Sequence, residues 1–571
     1  MKKTLALILA LVMVFALAAC GSTETKTETK TETTTETKKE EQKVEQASRP
    51  GEDASKLEEV GTVTAALSDA VTTLERDHGV TVEGKSTDKE IVIGLATEMS
   101  GTAPFAGGSG RNDTKYLMYD NLAVMHYPGG SVDEMDWVIA KNITEVDPDT
   151  YDIEIYDYVH DWAGHHITAD DVIFSYEGYV ASGSSGKFSR QFDSMEKLDE
   201  YTVRLHLKNT ALGTAQYMLQ NCPIVSKEGY ESQTEAELAQ CPYGTGMYKI
   251  TEFVSGSHIT FERVEDYWQT DSTKWPYLYS GQLKTIKIII MTEASQRAIG
   301  LQNGSVDVVP VVATEDVVNF MNDDGSFVEG YNVLKVLNSG VQYGIFNCDE
   351  ASVCKDANLR LAIQYAIDRA GVMDGTFGKG AYLPANEVAT AVLGDYNQDW
   401  TWYEMDVAKA QECLKASSYN GEEIKIMCGT ENNQKTMAEL IQAYLSVIGV
   451  NAGIYSYDSA LNTEYAKDPT KWDIYLSTAG CSDYCIDSWN VALNSSTSAF
   501  LHDDKISEML VAAGALDHVQ ADCDALHDYL YENAYVIPFG TYYKYSAAHD
   551  DMLLWAVHPW NYCTYGGFIF E

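Results

Sequence analysis

Residues 160–171, HDWAGHHITADD, carry three histidines and three aspartates in twelve positions. Metal sites and acid–base clusters are made from such side chains, so the elements that hold them must decide between chemistry and a structural use. Thr168-Ala-Asp-Asp171 has the form of a capping box, in which the threonine hydroxyl accepts from the backbone N–H three residues on and the aspartate reaches back. Asp170 and Asp171 then fall in the first turn of a helix, where the dipole favours negative charge. Val172, Tyr176 and Tyr179 continue as that helix's apolar face. His160, Asp161, His165 and His166 are left on the strand-to-helix loop around Gly164. Metal ligands must converge at fixed distances, and four groups on one loop have no distant partner to converge with. A structural loop is expected here, and no metal.

Other catalytic patterns are missing. No H-E-x-x-H, G-x-S-x-G, G-x-G-x-x-G or P-loop pattern occurs, and Gly107-Gly-Ser109-Gly-Arg111 ends in arginine where a nucleophile elbow needs glycine. Neither an enzyme nor a cofactor is expected. The formal net charge of -45 excludes a nucleic-acid surface, which needs basic groups to displace phosphate counterions, and excludes adhesion to an anionic lipid face. With 571 residues, 45% of them hydrophobic, the chain can bury the cores of two or three domains.

The N-terminus reads as a targeting segment. A basic MKK precedes an apolar run over residues 4–19, which is too short to span a bilayer and is suited to a signal peptide. Leu17-Ala-Ala-Cys20 has the pattern of a lipobox, so lipid is expected at Cys20 and the mature chain is expected outside the cytoplasm, tethered to the cell membrane. Residues 22–46 form a Thr/Glu/Lys tract with nothing to bury, a disordered stalk. Leu57, Val60, Leu67, Val71 and Leu74 follow helical spacing and predict a helical extension over 51–88. Ten cysteines remain after Cys20. Cys348–Cys354, Cys481–Cys485 and Cys222–Cys241 are the short-range candidates for disulfides, with free thiols the equal alternative.

The globular body begins near Lys89 with the buried-strand run IVIGLA. Tyr151, Ile153, Ile155 and Val159 alternate with polar residues, and Tyr201-Thr-Val-Arg-Leu-His-Leu207 alternates as well, both half-buried strands. A further strand is predicted over 284–291. Leu359, Ala362, Ile363, Ala366 and Ile367 share a helical face behind a possible Asp356 cap. Strands and helices mix without a repeat, which is an α/β chain.

On these elements sits a set of short motifs. Gly164, Thr168, Ala169, Asp171, Val172 and Ser175 fit a D-G-x-P-x-T-A-x-D-V-x-x-S signature, with His166 where proline is usual. Asp199-Glu-Tyr-Thr202-Val203, Gly244-Thr-Gly-Met-Tyr248, Asp266-Tyr-Trp268, Gly304-Ser-Val-Asp307 and Arg360 through Ala366-Ile-Asp-Arg369 follow in order. This resembles the family 5 bacterial extracellular solute-binding proteins, which include the oligopeptide- and dipeptide-binding components of ABC importers. The resemblance implies a two-lobed periplasmic-binding-protein-like α/β fold of the large class II type, with mixed sheets joined by hinge strands and an extra subdomain. It divides the chain into a signal peptide (1–19), a lipid-anchored linker (20–50), the helical extension (51–88), a first lobe in three parts (89–125, 243–336 and 534–571), an extra subdomain (126–242) and a second lobe (337–533). It implies a monomer that captures a small solute, favouring a peptide, by lobe closure and delivers it to permease subunits.

Thr478-Ala-Gly-Cys-Ser-Asp483-Tyr-Cys-Ile-Asp487 resembles the G-W-x-x-D-Y-x-D-P stretch of peptide binders. Asp483 matches the aspartate that pairs there with a peptide ammonium, a charge-assisted bond suited to an enclosed cleft. A turn or helix cap is its alternative. Gly480 stands where the family has tryptophan, which reshapes the pocket, and Tyr484, Trp489, Trp402 and Trp400 are candidate replacement walls. Ser100, Thr102 and Phe105, in the small-residue loop after the first strand, are further candidate contacts, because ligands of open α/β sheets bind beyond strand carboxyl ends. An oligosaccharide or other non-peptide solute, and a ligand-sensing receptor in place of a transport component, remain alternative readings.

Overall fold

A computed structural model describes residues 87–570 except 100, 106–111, 126–131, 209, 277, 323–324, 339, 392, 431–432, 481–483, 555–556, 559–561 and 564. The signal segment, Cys20, the linker, most of the 51–88 extension, Ser100, Cys481 and Asp483 lie outside the described residues. Among the described residues no helix is long and apolar enough to cross a membrane.

The fold is α/β and two-lobed, and one long strand ties its two halves together. In the first lobe Lys89–Leu95 runs parallel to Leu283–Ile290, with Ile91 opposite Ile286 and Ile93 opposite Ile288. His258–Arg263 and Tyr248–Val254 extend the sheet on one side and Val308–Val312 on the other. Ile91, Ile93 and Leu95 are buried, in keeping with a strand covered by the chain on both sides. In the second lobe the order is Ala452–Tyr457, Ile424–Gly429, Ile474–Gly480 and Gly340–Phe346. The strand Val536–His549 belongs to both. Its first half pairs with Gly340–Phe346 and with Tyr382–Pro384, and its second half with Tyr331–Leu337 and Val308–Val312.

The chain thus passes between lobes on neighbouring strands, at residues 337–340 and 541–543. Asn338 N–H donates to the Tyr542 carbonyl at 2.9 Å where they cross. The first crossing lies between the strands Tyr331–Leu337 and Gly340–Phe346. The second falls several residues beyond the expected boundary at 534, because Val536, Gly540 and Thr541 still find their partners in Ile345, Gln342 and Leu383 of the second sheet. Gly540 has φ +148°, and a Cβ there would run into the Leu383 carbonyl oxygen, so the bulged strand needs glycine at this point.

The extra subdomain is an antiparallel sheet in the order Ala140–Asp147, Thr150–Ile155, Thr202–Leu207, Phe192–Asp199. Tyr151, Ile153 and Ile155 are buried on one face, as are Val203, Leu205 and Leu207, so the period-two alternation describes both strands. The first strand ends at Ile155, short of the expected Val159. Ile153, Leu205, Val172 and Tyr176 share one apolar cluster with Ile93, Ile288 and Phe261 of the first lobe. The subdomain is therefore packed onto the first lobe through a common core. In the second lobe, Val341, Tyr343 and Ile345 pack with Trp472 and Trp489, while Phe346 packs with Ile426 and Ile474 in a separate cluster. The helix Ala357–Ala366 buries Leu359, Ala362, Ile363 and Ala366, and its Asp356 cap accepts from Asn358 N–H at 2.8 Å.

The opening stretch has the structural role read from it. The Asp171 carboxylate accepts the Thr168 N–H at 2.8 Å and the Thr168 hydroxyl at 2.7 Å at the start of Ala169–Ser182. Its other oxygen accepts Lys227 N–H at 2.7 Å, fastening the helix Lys227–Ser232 to this one. Buried Asp161 accepts the backbone N–H groups of Ala163 and His165 and meets His165 Nδ1 at 2.9 Å, which makes a closed turn. Of the candidate disulfides, Cys222–Cys241 and Cys348–Cys354 are not bridged, since all four are free thiols, and Cys481–Cys485 involves a residue outside the described ones.

Candidate functional site

A cleft of about 2090 Å³ opens where the extra subdomain faces the second lobe. Its second-lobe wall is built from the end of Ile474–Gly480 and the helix Cys485–Leu493. The helix is amphipathic across this boundary. Cys485, Ile486, Ser488, Trp489, Ala492 and Leu493 are buried, whereas Asp487, Asn490 and Val491 turn toward the cleft. Gly480 is exposed at the strand end, and a Cβ built there meets nothing within 4 Å. Tyr484 precedes the helix in an extended conformation and pairs with Gly394, whose carbonyl accepts Cys485 N–H at 3.1 Å.

The opposite wall comes from the subdomain: the turn at Asp147–Asp149, the short helix Gly186–Gln191, and Tyr217. Contacts among the described residues cross the gap. Lys187 Nζ stands 3.3 Å from Asp487 Oδ1, with its ammonium 4.3 Å from the centre of the Tyr217 ring. Leu212 N–H donates to the Gly514 carbonyl at 3.2 Å. Asp487 also accepts Tyr484 N–H at 3.2 Å, so one carboxylate caps the helix and meets the ammonium. The side chain of Asp487 is 13% exposed and that of Lys187 36%. Asp147, Asp149, Asp487 and Asp517 outnumber Lys187 and Arg190 on the lining, which favours a cationic group inside the cleft.

Of the candidate contacts, Gly480 lines this cleft and Tyr484 lies just behind its rim. Thr102 is fully buried: its hydroxyl donates to the Leu238 carbonyl at 2.6 Å and its carbonyl accepts the Tyr119 hydroxyl at 2.7 Å. Phe105 packs against Phe174 and Tyr230 at ring distances of 6.0 and 5.2 Å, on the subdomain. Trp402 is buried with its indole N–H on Gln364 Oε1 at 3.2 Å, and Trp489 is buried beside Trp400 at 5.9 Å. These tryptophans build the second-lobe core in the described structure and do not line the cleft. Lys187, Tyr217 and Asp487 carry the cross-cleft geometry. Asp487 stood in the quoted D-Y-x-D stretch, whereas Lys187 sits in a Gly/Ser-rich segment with no pattern to mark it.

A model of the family described as bacterial extracellular solute-binding proteins, family 5 (middle), matches residues 138–499. The chain is 25% identical over 339 residues to the dipeptide-binding protein of Escherichia coli K12, covering 55% of this chain and 60% of that one. It is 26% identical over 325 residues to heme-binding protein A of Haemophilus influenzae, covering 52% and 56% respectively. The match thus spans under two thirds of the length of either relative. Among solved structures, the oligopeptide-binding protein AppA of Bacillus subtilis in complex with a nonapeptide superposes with a TM-score of 0.66 at 18% identity, over 85% of this chain and 100% of that one. This last likeness is one of fold.

Proposed function

This chain belongs to the bacterial extracellular solute-binding proteins, family 5, and we propose that it captures a solute, with a peptide favoured, in the cleft between subdomain and second lobe and delivers it to the permease of an ABC importer. The observation that carries the reading is the cleft itself: about 2090 Å³, lined from both sides, spanned by the Lys187–Asp487 pair and flanked by two strand crossings that can act as a hinge. A ligand touching both walls stabilises the closed arrangement only by its greater affinity for it. The acidic lining supports a ligand carrying an ammonium, with Asp483 its proposed partner and Gly480 and Tyr484 beside it. Family members are binding proteins, and no covalent step is involved.

Space at Gly480 supports a second reading, a bulkier non-peptide solute such as an oligosaccharide, for which an aromatic wall at this point would be an obstacle. Anchoring by lipid at Cys20 remains part of the proposal. Thermal unfolding of the chain in the presence of dipeptides, oligopeptides and oligosaccharides tests both. A ligand at a hundredfold its Kd adds about 2.7 kcal/mol of stability. A shift with peptides that disappears in Asp483→Ala supports the first reading, a shift with sugars alone moves the assignment to the second, and no shift with any solute class overturns both.

A further inference from the structure

One cluster in the second lobe has what the 160–171 loop lacked, ligand-type side chains brought together from distant segments. Asp395 sits in the turn before Trp400, His518 on the loop after residue 514, and Cys523 on the helix Gln520–Asn533. One donor atom from each lies within 4.8 Å of the other two. Around a tetrahedral ion with bonds of about 2.0–2.3 Å, donor atoms stand about 3.3–3.7 Å apart, so small side-chain movements complete the geometry.

Hydrogen bonding leaves these three groups unresolved among themselves. His518 Nδ1 is 2.8 Å from the Ala515 carbonyl, which fixes the proton on that nitrogen in the neutral ring and turns the Nε2 lone pair outward. Nε2 then faces Asp395 Oδ1 at 3.1 Å, and in the neutral ring both are acceptors that one cation can bridge. Asp395 Oδ2 is buried with no hydrogen-bond partner among the described residues. Cys523 is 1% exposed and brings its Sγ to within 4.8 Å of the chosen donor atoms of Asp395 and His518. A protonated imidazole would settle one of these contacts. A divalent ion settles all three. Asp395 itself holds φ +68°, a conformation uncommon outside glycine.

We propose that Asp395, His518 and Cys523 form a binding site for a zinc-class divalent transition ion, with solvent as the fourth ligand. The mixed carboxylate, imidazole and thiolate set suits zinc and disfavours calcium and magnesium, which take oxygen donors. Asp395 follows Gly394, the residue that pairs with Tyr484 and accepts the Cys485 N–H. Bound metal therefore braces the turn that holds the rim of the cleft, and none of the three ligands lines the cleft itself.

Cobalt(II) and zinc titrations of the chelator-stripped full chain test this. One cobalt per chain is expected, with a thiolate-to-cobalt charge-transfer band that zinc displaces. Cys523→Ser should abolish the band, and His518→Gln should weaken zinc binding by more than about 100-fold, since loss of even an outer-shell partner costs about 10–100-fold. Absence of the band in the native chain, or its survival in Cys523→Ser, overturns the site. Should Cys523→Ser fail to fold by circular dichroism, unchanged zinc affinity in His518→Gln overturns it equally.

Discussion

The D-Y-W and G-T-G motifs of the first lobe and the 478–487 stretch of the second all match family patterns, yet they meet opposite environments. Around buried Asp120 every polar atom is engaged. Its carboxylate contacts the Tyr267 hydroxyl, the Trp268 indole N–H and the Tyr279 hydroxyl, each at 2.9 Å, and its N–H donates to Thr245 Oγ1 at 3.0 Å. Gly246 lies against the backbone of residues 117–119. At the cleft, by contrast, Gly480 faces open space and Asp487 reaches across a gap to Lys187. A motif that is fully satisfied from within the fold works for the fold, and one whose groups face a cavity is free to work on a ligand.

The satisfied region should therefore break by unfolding. The largest effect is expected for Gly246→Ala, because a Cβ at this residue would lie 2.5–2.7 Å from backbone atoms of Leu117, Met118 and Tyr119. Rigid backbone cannot give way cheaply, so a loss of about 3 kcal/mol is expected in urea denaturation. A loss within error would mean that the close approach can relax.

Asp120→Asn comes next and carries a pH signature. Burial pushes this carboxyl up to about 7, against the opposing hydrogen bonds from Trp268, Tyr279 and Tyr267. Tyr279 also stands 2.8 Å from the Tyr116 carbonyl, so its single proton cannot serve both neighbours; a protonated Asp120 donating to the Tyr279 oxygen resolves this. The folded chain thus holds a proton that the unfolded chain releases near pH 4. This contribution is fully present below pH 4 and is lost as pH rises toward 7, at about 1.4 kcal/mol per pH unit. Asparagine should remove that slope and cost about 1–3 kcal/mol at pH 5, since one amide N–H replaces the acid proton toward Tyr279 and the other is left buried without an acceptor. Stability curves of equal slope in native and variant chains would show that Asp120 does not titrate in this range.

Sequence patterns revealed elements whose cause is local, and missed those whose cause is distant. Period-two burial in Thr150–Ile155 and Thr202–Leu207, the Asp356 cap and the Thr168–Asp171 cap all depend on neighbours within a few residues. The motif residues were visible too, but not their use. Asp307 was one letter of a pattern until its carboxylate was seen to accept Val92 N–H at 2.7 Å, and Arg369 until its guanidinium was seen on the Ala385 and Pro538 carbonyls. The tryptophans were ambiguous for the same reason, because an indole suits a core as well as a ligand wall; here the Trp402 indole N–H donates to Gln364 and that of Trp400 to Asp524. Lys187 and Asp487 are 300 positions apart, beyond the reach of spacing arguments.

Across the cleft, smaller energies are expected. Lys187 and Asp487 are part-exposed, so a double-mutant cycle of Lys187→Met and Asp487→Asn should give a coupling of about 0.2–1 kcal/mol at low salt, shrinking as salt is added. Zero coupling at low ionic strength would remove the pair as a tie between subdomain and second lobe.

The smallest change in stability belongs to Gly480→Trp, and this substitution separates the two regions most sharply. No atom stands within 4 Å of the new Cβ, and Gly480 has no left-handed φ to preserve, so stability should stay within about 0.5 kcal/mol of the native chain. The indole would project from the strand end into the 2090 Å³ cleft and restore the aromatic wall that the family pattern carries here. Binding should then change while folding does not. Calorimetric affinity for the solute that stabilises the native chain should fall about tenfold, equivalent to about 1.4 kcal/mol, and short peptides should gain relative to bulkier solutes. Unchanged affinity for every solute would mean that ligand does not approach the end of this strand, and would move the binding surface toward Asn490 on the same wall and Tyr217 on the opposite one.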